Sequence, residues 1–250
     1  VVGFSTRDCP ALSGTEKIMA RKQFFCIVDT ETTIGDTVAD FGAIIVDRNG
    51  KIFTQCAVLV RGEYGDKTLF HDKNKSNIWG YEGLRKREQA YIAMLESGKR
   101  MIASVSAINR WLNQAVGKYN PALTAYNLTF DIGKCANTGI DLDIFTDRFC
   151  LWQASVGNIC TSKKYRQFCM ENHLFNAPTE KRNMTYKTTA ESVCGFVRGE
   201  FIVEPHTALE DARDFELPIL QYILKRKGWR NNIKAHAWQD FQVKDHFCAA

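Results

Sequence analysis

Long apolar runs are missing from this chain of 250 residues. A membrane helix needs ~20 consecutive apolar residues, and the longest candidate, Phe41 to Val46, has only the length of a strand. The opening stretch VVGFSTRDCPALSG is too polar, and too broken by glycine and proline, to read as a signal peptide. A large charge of one sign is missing too: 33 basic residues face 28 acidic ones, a formal excess of +5. That excess is too small to establish a polyanionic ligand by itself. Internal repeats, low-complexity tracts and a clean two-domain boundary are also absent, so residues 1–250 read as one domain.

A paired cysteine framework is lacking as well. The nine cysteines are an odd number, widely scattered, and several sit inside apolar strings such as FFCIV, TQCAV and SVCGF. They read as buried free thiols and predict a reducing, cytoplasmic location. Cys150, Cys160, Cys169 and His173 could be drawn as a zinc site. Their spacing is wider than the short paired knuckles of structural zinc sites, which favours scattered core cysteines.

What is present begins with pattern. Gln23 to Asp29 is an apolar run suited to a central strand covered on both sides. Asp40–Val46 and Lys51–Val60 follow as strands, with Asn49-Gly50 favouring a tight hairpin between them. Residues 61–83, rich in Gly, Asp, Lys and Asn, predict a long loop of functional or mobile character, carrying Tyr64, Phe70, Trp79 and Tyr81, of which Tyr64, Trp79 and Tyr81 are weaker candidates for base contact. Helices are expected near 84–97 and 101–116, and a short parallel strand at 122–127. Residues 140–149 predict a strand or irregular edge, and 163–174 and 185–197 amphipathic helices, the second capped by Thr188 or Thr189. Thr207 to Lys227 reads as helix with a kink or new start at Pro218. The fold class is therefore α/β.

Five residues carry the chemistry: Asp29 and Glu31 in FCIVDTETT, Asp131 in AYNLTFD, and His206 and Asp211 in EPHTALEDARD. Asp29 and Glu31 stand two apart at the end of an apolar strand, so both point to one face. Hard cations such as Mg²⁺ and Mn²⁺ prefer oxygen donors. Two such ions could stabilise both the attacking and the leaving oxygen of a displacement at phosphorus. His206 offers an imidazole, with an ordinary pKa near ~6.5, for the proton of an attacking water. Taken singly, each residue has a bland explanation: an acidic strand end, a helix-capping Asp131, a surface histidine. Their joint order on elements that should converge favours a metal-dependent nuclease.

These three segments together resemble the motifs of the DEDDh branch of the DnaQ-like, or RNase H-like, 3′–5′ exonucleases, over about residues 22–224. The resemblance implies an RNase H-like mixed central sheet, three antiparallel strands followed by parallel strands, flanked by helices. It implies a single exonuclease domain with an insertion at 61–83 and a C-terminal extension at 225–250, releasing mononucleotides from a 3′ end with two Mg²⁺ or Mn²⁺ ions. Asp29 would bridge both ions, and Glu31 and Asp211 would bind the one that activates water. Asp131 would help hold the second ion and the phosphate, and His206 would be the general base. The small, glycine-ended loop that usually follows the first motif is replaced by Thr32-Thr33-Ile34-Gly35, leaving Thr32 and Ile34 as contacts for the terminal nucleotide.

Beyond the site, Lys181, Arg182 and Lys187 are candidates for phosphate contacts, and Phe130 for stacking on a base, against solvated basic surface and core packing respectively. Other basic residues toward the C-terminal end include Lys225, Arg226, Lys227, Arg230 and Lys234. The expected substrate is single-stranded DNA or frayed 3′ ends, with RNA trimming as the alternative, since residues that sense a 2′-hydroxyl are ordinary polar groups. A nucleic-acid-binding polymerase accessory that has lost turnover is a further reading, opposed by the presence of every expected metal ligand. Neither a membrane nor a specific protein partner is legible.

Overall fold

The computed structural model describes residues 23–243. The opening stretch and the last seven residues of the C-terminal extension lie outside the described residues. Five strands form one sheet: β1 (Phe24–Thr32), β2 (Val38–Asp47), β3 (Ile52–Val60), β4 (Met101–Ala103) and β5 (Ala122–Thr124). Their order is β4-β3-β2-β1-β5. β1, β2 and β3 pair antiparallel, while β5 runs parallel to β1 and β4 parallel to β3. The helices are α1 (Tyr81–Glu96), α2 (Val105–Tyr119), α3 (Leu128–Thr138), α4 (Leu151–Ser155), α5 (Lys163–Glu171), α6 (Ala190–Arg198), α7 (Ala208–Glu210) and α8 (Leu217–Leu224). No helix among the described residues is long and apolar enough to cross a membrane.

Alternation along β1 decides what each face can carry. Cys26 and Val28 pack with Ile108 and Leu112 of α2 and Cys135 of α3. Phe25 and Ile27 pack on the other side with Val193 of α6 and Ile219 and Leu220 of α8. By the same alternation Asp29 and Glu31 fall on the α6–α8 side, and Thr30 on the α3 side. The Asp47-to-Gly50 connection is the expected hairpin. Asp47 Oδ1 accepts from the Asn49 and Lys51 N–H groups, and Gly50 takes a φ of 81°.

Several boundaries depart from the sequence expectation. The helix expected from 101 starts at Val105, because Ser104 caps it by accepting from Ala107 N at 3.3 Å. The three residues before it lie along the open edge of β3 as β4. The helix expected from 185 starts at Ala190, where Thr189 caps it, and Thr185–Tyr186 pairs with Phe175–Asn176 instead. Residues 140–149 are irregular, joined to β5 by a bridge between Leu123 and Arg148. The 225–243 segment folds back as two short 3₁₀ turns, Trp229–Asn232 and Trp238–Phe241, with Trp229 and Phe241 buried.

The expected kink at Pro218 takes a specific form. Residues Asp211–Glu216 make a π-helical turn between α7 and α8. Pro218 has no N–H, so it cannot make the helical bond to the carbonyl four residues back, that of Asp214. That carbonyl instead accepts from Arg198 Nη2 at 2.7 Å and from the Cys194 thiol at 3.7 Å.

Candidate metal centre

Glycine at position 42 determines how close the third motif comes to the first. Gly42 pairs with Asp29 across β1 and β2. A Cβ there would lie 2.3 Å from the Ala208 carbonyl carbon and the Leu209 nitrogen, so only glycine lets α7 descend onto the sheet. Asp40 then accepts from Ala208 N at 2.9 Å, and Arg100 bridges Asp40 Oδ1 at 3.0 Å and Glu210 Oε2 at 2.5 Å. This buried network fixes the start of α7, and with it His206 and Asp211.

The result is a cluster. Ligand atoms of Glu31, His206 and Asp211 all lie within 4.8 Å of one another. His206 Nδ1 is 4.0 Å from Glu31 Oε1. His206 reaches this place with a φ of 55°, the left-handed region that non-glycine residues rarely occupy. Asp211 Oδ2 accepts from Thr207 N at 3.0 Å, while its Oδ1 is buried with no partner. Asp29, Glu31, Asp211 and Glu216 line one cleft of about 540 Å³. Asp131 is not itself a lining residue, but it is close enough for its charge to act on Asp29, Glu31 and Glu216, and its partner Thr30 does line the cleft. It is buried on the α3 side, and Thr30 Oγ1 donates to its Oδ1 at 2.8 Å.

The electrostatics ask for a cation. Burial, then the charge of neighbouring carboxylates (Asp211 first for Asp29, Glu204 first for Asp211), holds Asp29 and Asp211 well above the usual carboxylate range. Burial likewise raises Glu31, although Arg87 opposes it, and raises Glu216 with Asp131 adding to the effect. Burial pushes Asp131 up to about 7 against the Thr30 hydrogen bond, and Glu204 up to about 7 with Glu191 adding to it. His206 moves the other way, to about 4, because burial and then Arg87 disfavour its cation. Buried carboxylates that repel one another, with orphaned oxygens at Asp211 and Glu216, fit a hard divalent ion bound through oxygen.

The other expected contacts divide. Thr32 and Phe130 line the cleft, Phe130 with Lys134 Nζ 4.8 Å from its ring centroid. Ile34, Lys181, Arg182 and Lys187 are not among its lining residues. Two of the C-terminal basic residues are paired with acids, Arg230 with Asp147 and Lys234 with Asp240, each at 2.6 Å. The 61–83 segment does reach the site. Its backbone pairs with the end of β1 and the residues just beyond it, Ile34 N to Thr68 O at 2.9 Å and Phe70 N to Thr32 O at 2.7 Å. Phe70 and Trp79 thereby line the cleft, and the Trp79 ring lies 4.6 Å from that of His206. Tyr64 packs on Tyr91 and Tyr81 on His71, so neither joins them. Cys150, Cys160, Cys169 and His173 form no metal-binding group among the described residues.

Four participants escaped the sequence reading: Phe70, Arg87, Glu204 and Glu216, while Trp79 was only a weaker candidate for base contact. Glu216 had a signal, an acid inside the apolar run FELPIL, and Glu204 stands two residues before His206. Comparison with models of known protein families finds no match, and neither do comparisons with curated proteins and with solved structures.

Proposed function

We propose that this protein is a metal-dependent 3′–5′ exonuclease of RNase H-like fold that releases nucleoside monophosphates from single-stranded or frayed DNA. The observation that carries this reading is the convergence of Glu31, His206 and Asp211 beside Asp29 at the end of the central strand. Two Mg²⁺ or Mn²⁺ ions, when bound, supply Lewis-acid stabilisation of the phosphoryl oxygens and lower the pKa of water. Asp29, Glu31 and Asp211 would hold them, with Asp131, whose Oδ1 accepts from Thr30, helping to hold the second. Burial keeps His206 neutral at physiological pH, so a ring nitrogen is free to accept the proton of the attacking water. Phe70 and Trp79 on one wall, and Phe130 on another, offer faces on which unpaired bases can stack. Stacking of that kind suits an unpaired terminus better than the interior of a duplex.

Oligonucleotides labelled at the 3′ or the 5′ end, in DNA and matched RNA, test the reading with Mg²⁺ and Mn²⁺. The expected result is mononucleotide release from the 3′ end, faster on DNA. Internal fragments from ends-blocked substrate would overturn the exonuclease reading. Faster digestion of RNA would reassign the substrate to RNA 3′ ends, and tight metal-independent binding without turnover would favour a binding protein.

A further inference from the structure

We propose that Glu216, which none of the three motifs contains, is a ligand to the second of the two divalent cations, through Oε2; this rests on the two-metal reading above. Glu216 is 1% exposed and lines the cleft with Asp29 and Asp211. Its Oε1 is engaged, accepting from Tyr126 N at 2.9 Å, and its Oε2 is buried with no partner at all. A buried carboxylate oxygen left unpaired costs free energy that a coordinated cation removes.

The backbone explains how it arrives there. In an α-helix, residues five apart lie about 140° around the axis from one another. The i→i+5 bonding of a π-helical turn stacks them on one face instead, and such turns are frequent at functional sites. Asp211 and Glu216 are the first and last residues of this π-turn, and both face the same cleft. The residue that the resemblance assigns to the second ion, Asp131, has its Oδ1 engaged by Thr30, and its charge is felt at Glu216, so the two carboxylates flank the same position. Glu216 therefore supplies an open oxygen on the cleft side of β1.

Mn²⁺ titration of the full chain, with free Mn²⁺ counted by electron paramagnetic resonance, tests this without reference to turnover. Wild type should bind two ions. Glu216→Gln should keep one with wild-type affinity and bind the other ~10-fold or more weakly. The glutamine oxygen can still accept from Tyr126 N, so a merely bracing role predicts unchanged binding. Should Glu216→Gln fail to fold, Glu216→Asp, which shortens the side chain and keeps its charge, should show the same weakened ion. Two ions of wild-type affinity in a folded Glu216→Gln, or fewer than two in wild type, would overturn the assignment. The nuclease reading is judged separately by digestion of end-labelled DNA by wild type, so the two can fail independently.

Discussion

Arg87 Nη1 lies 3.9 Å from Glu31 Oε2, and both side chains are almost wholly buried. The guanidinium stacks 5.0 Å from the Trp79 ring centroid and donates from Nη2 to Phe70 O at 2.5 Å. One cation on α1 thus offsets the charge of a strand-end carboxylate and ties down the 61–83 segment. Trp79 in turn lies against His206, so loop and imidazole are positioned together.

Replacing Arg87 should therefore move the pH dependence. Burial, then Arg87, lowers His206 to about 4. In Arg87→Met the second influence disappears, so the His206 pKa rises and the acid limb of the rate profile shifts to higher pH. A single-turnover pH profile checks this, and an unshifted or lowered limb would count against the coupling. Trp79→Ala should lower kcat/KM by ~10-fold or more through lost stacking on bases.

The part of this arrangement legible in the sequence is the part governed by local pattern. FCIVDTETT ends its apolar run at Asp29, and strand alternation alone puts Glu31 on the same face. Phe70 was not legible as a site residue, and Trp79 only as a weak candidate beside Tyr64 and Tyr81, which do not join it. The places of Phe70 and Trp79 depend on backbone pairing between residues 32–34 and 68–70, which no local periodicity encodes. Glu216 was hidden because α-helical spacing turns it away from Asp211, and only the π-turn returns it. Charge suggested Lys181, Arg182 and Lys187, but charge does not say which surface a residue faces, and these three do not line the cleft.

Without metal, stability should fall as pH rises. Asp29, Glu31, Asp131, Glu204, Asp211 and Glu216 all have folded pKa values raised by burial, Asp131 and Glu204 to about 7. Unfolded carboxyls titrate near ~4. Between about pH 4 and pH 7 the unfolded chain releases protons that the fold retains, so stability is lost as pH climbs through that window. His206 opposes, since its lowered pKa removes stability as pH falls from ~6.5 to about 4. Six carboxylates outweigh one histidine. The chelator-treated protein should melt higher at pH 5.5 than at pH 8, and the reverse order would refute the account.

The same repulsion makes Asp211→Asn a discriminating variant. It should raise the metal-free melting temperature by ~2–4 °C, as expected for ~1 kcal/mol in a domain of this size, while nearly abolishing turnover. Added Mn²⁺ should then stabilise wild type and leave this variant almost unchanged. A destabilised, still active Asp211→Asn would remove Asp211 from the ligand set.

His206→Ala should cost ~10²–10⁴-fold in single-turnover cleavage while keeping divalent-ion binding. The close approach of His206 to Glu31 and Asp211 gives the comparison its force. Loss of ion binding as large as that of Asp29→Ala would place the imidazole among the ligands, and unchanged cleavage would exclude a base.

Pro218 and Arg198 should be energetically coupled. Pro218 frees the Asp214 carbonyl, and Arg198 Nη2 takes it up at 2.7 Å. In the wild-type background Arg198→Ala removes that donor and should cost ~0.5–1.5 kcal/mol. In a Pro218→Ala background, residue 218 regains an N–H that can bond the same carbonyl in α-helical register. Arg198→Ala should then cost less, giving a positive coupling in a double-mutant cycle measured by urea unfolding. Tightening to α-helical register also turns Glu216 away from Asp211, so Pro218→Ala should lose activity without losing stability. Strict additivity with full activity would mean that the π-turn is held by something other than Pro218.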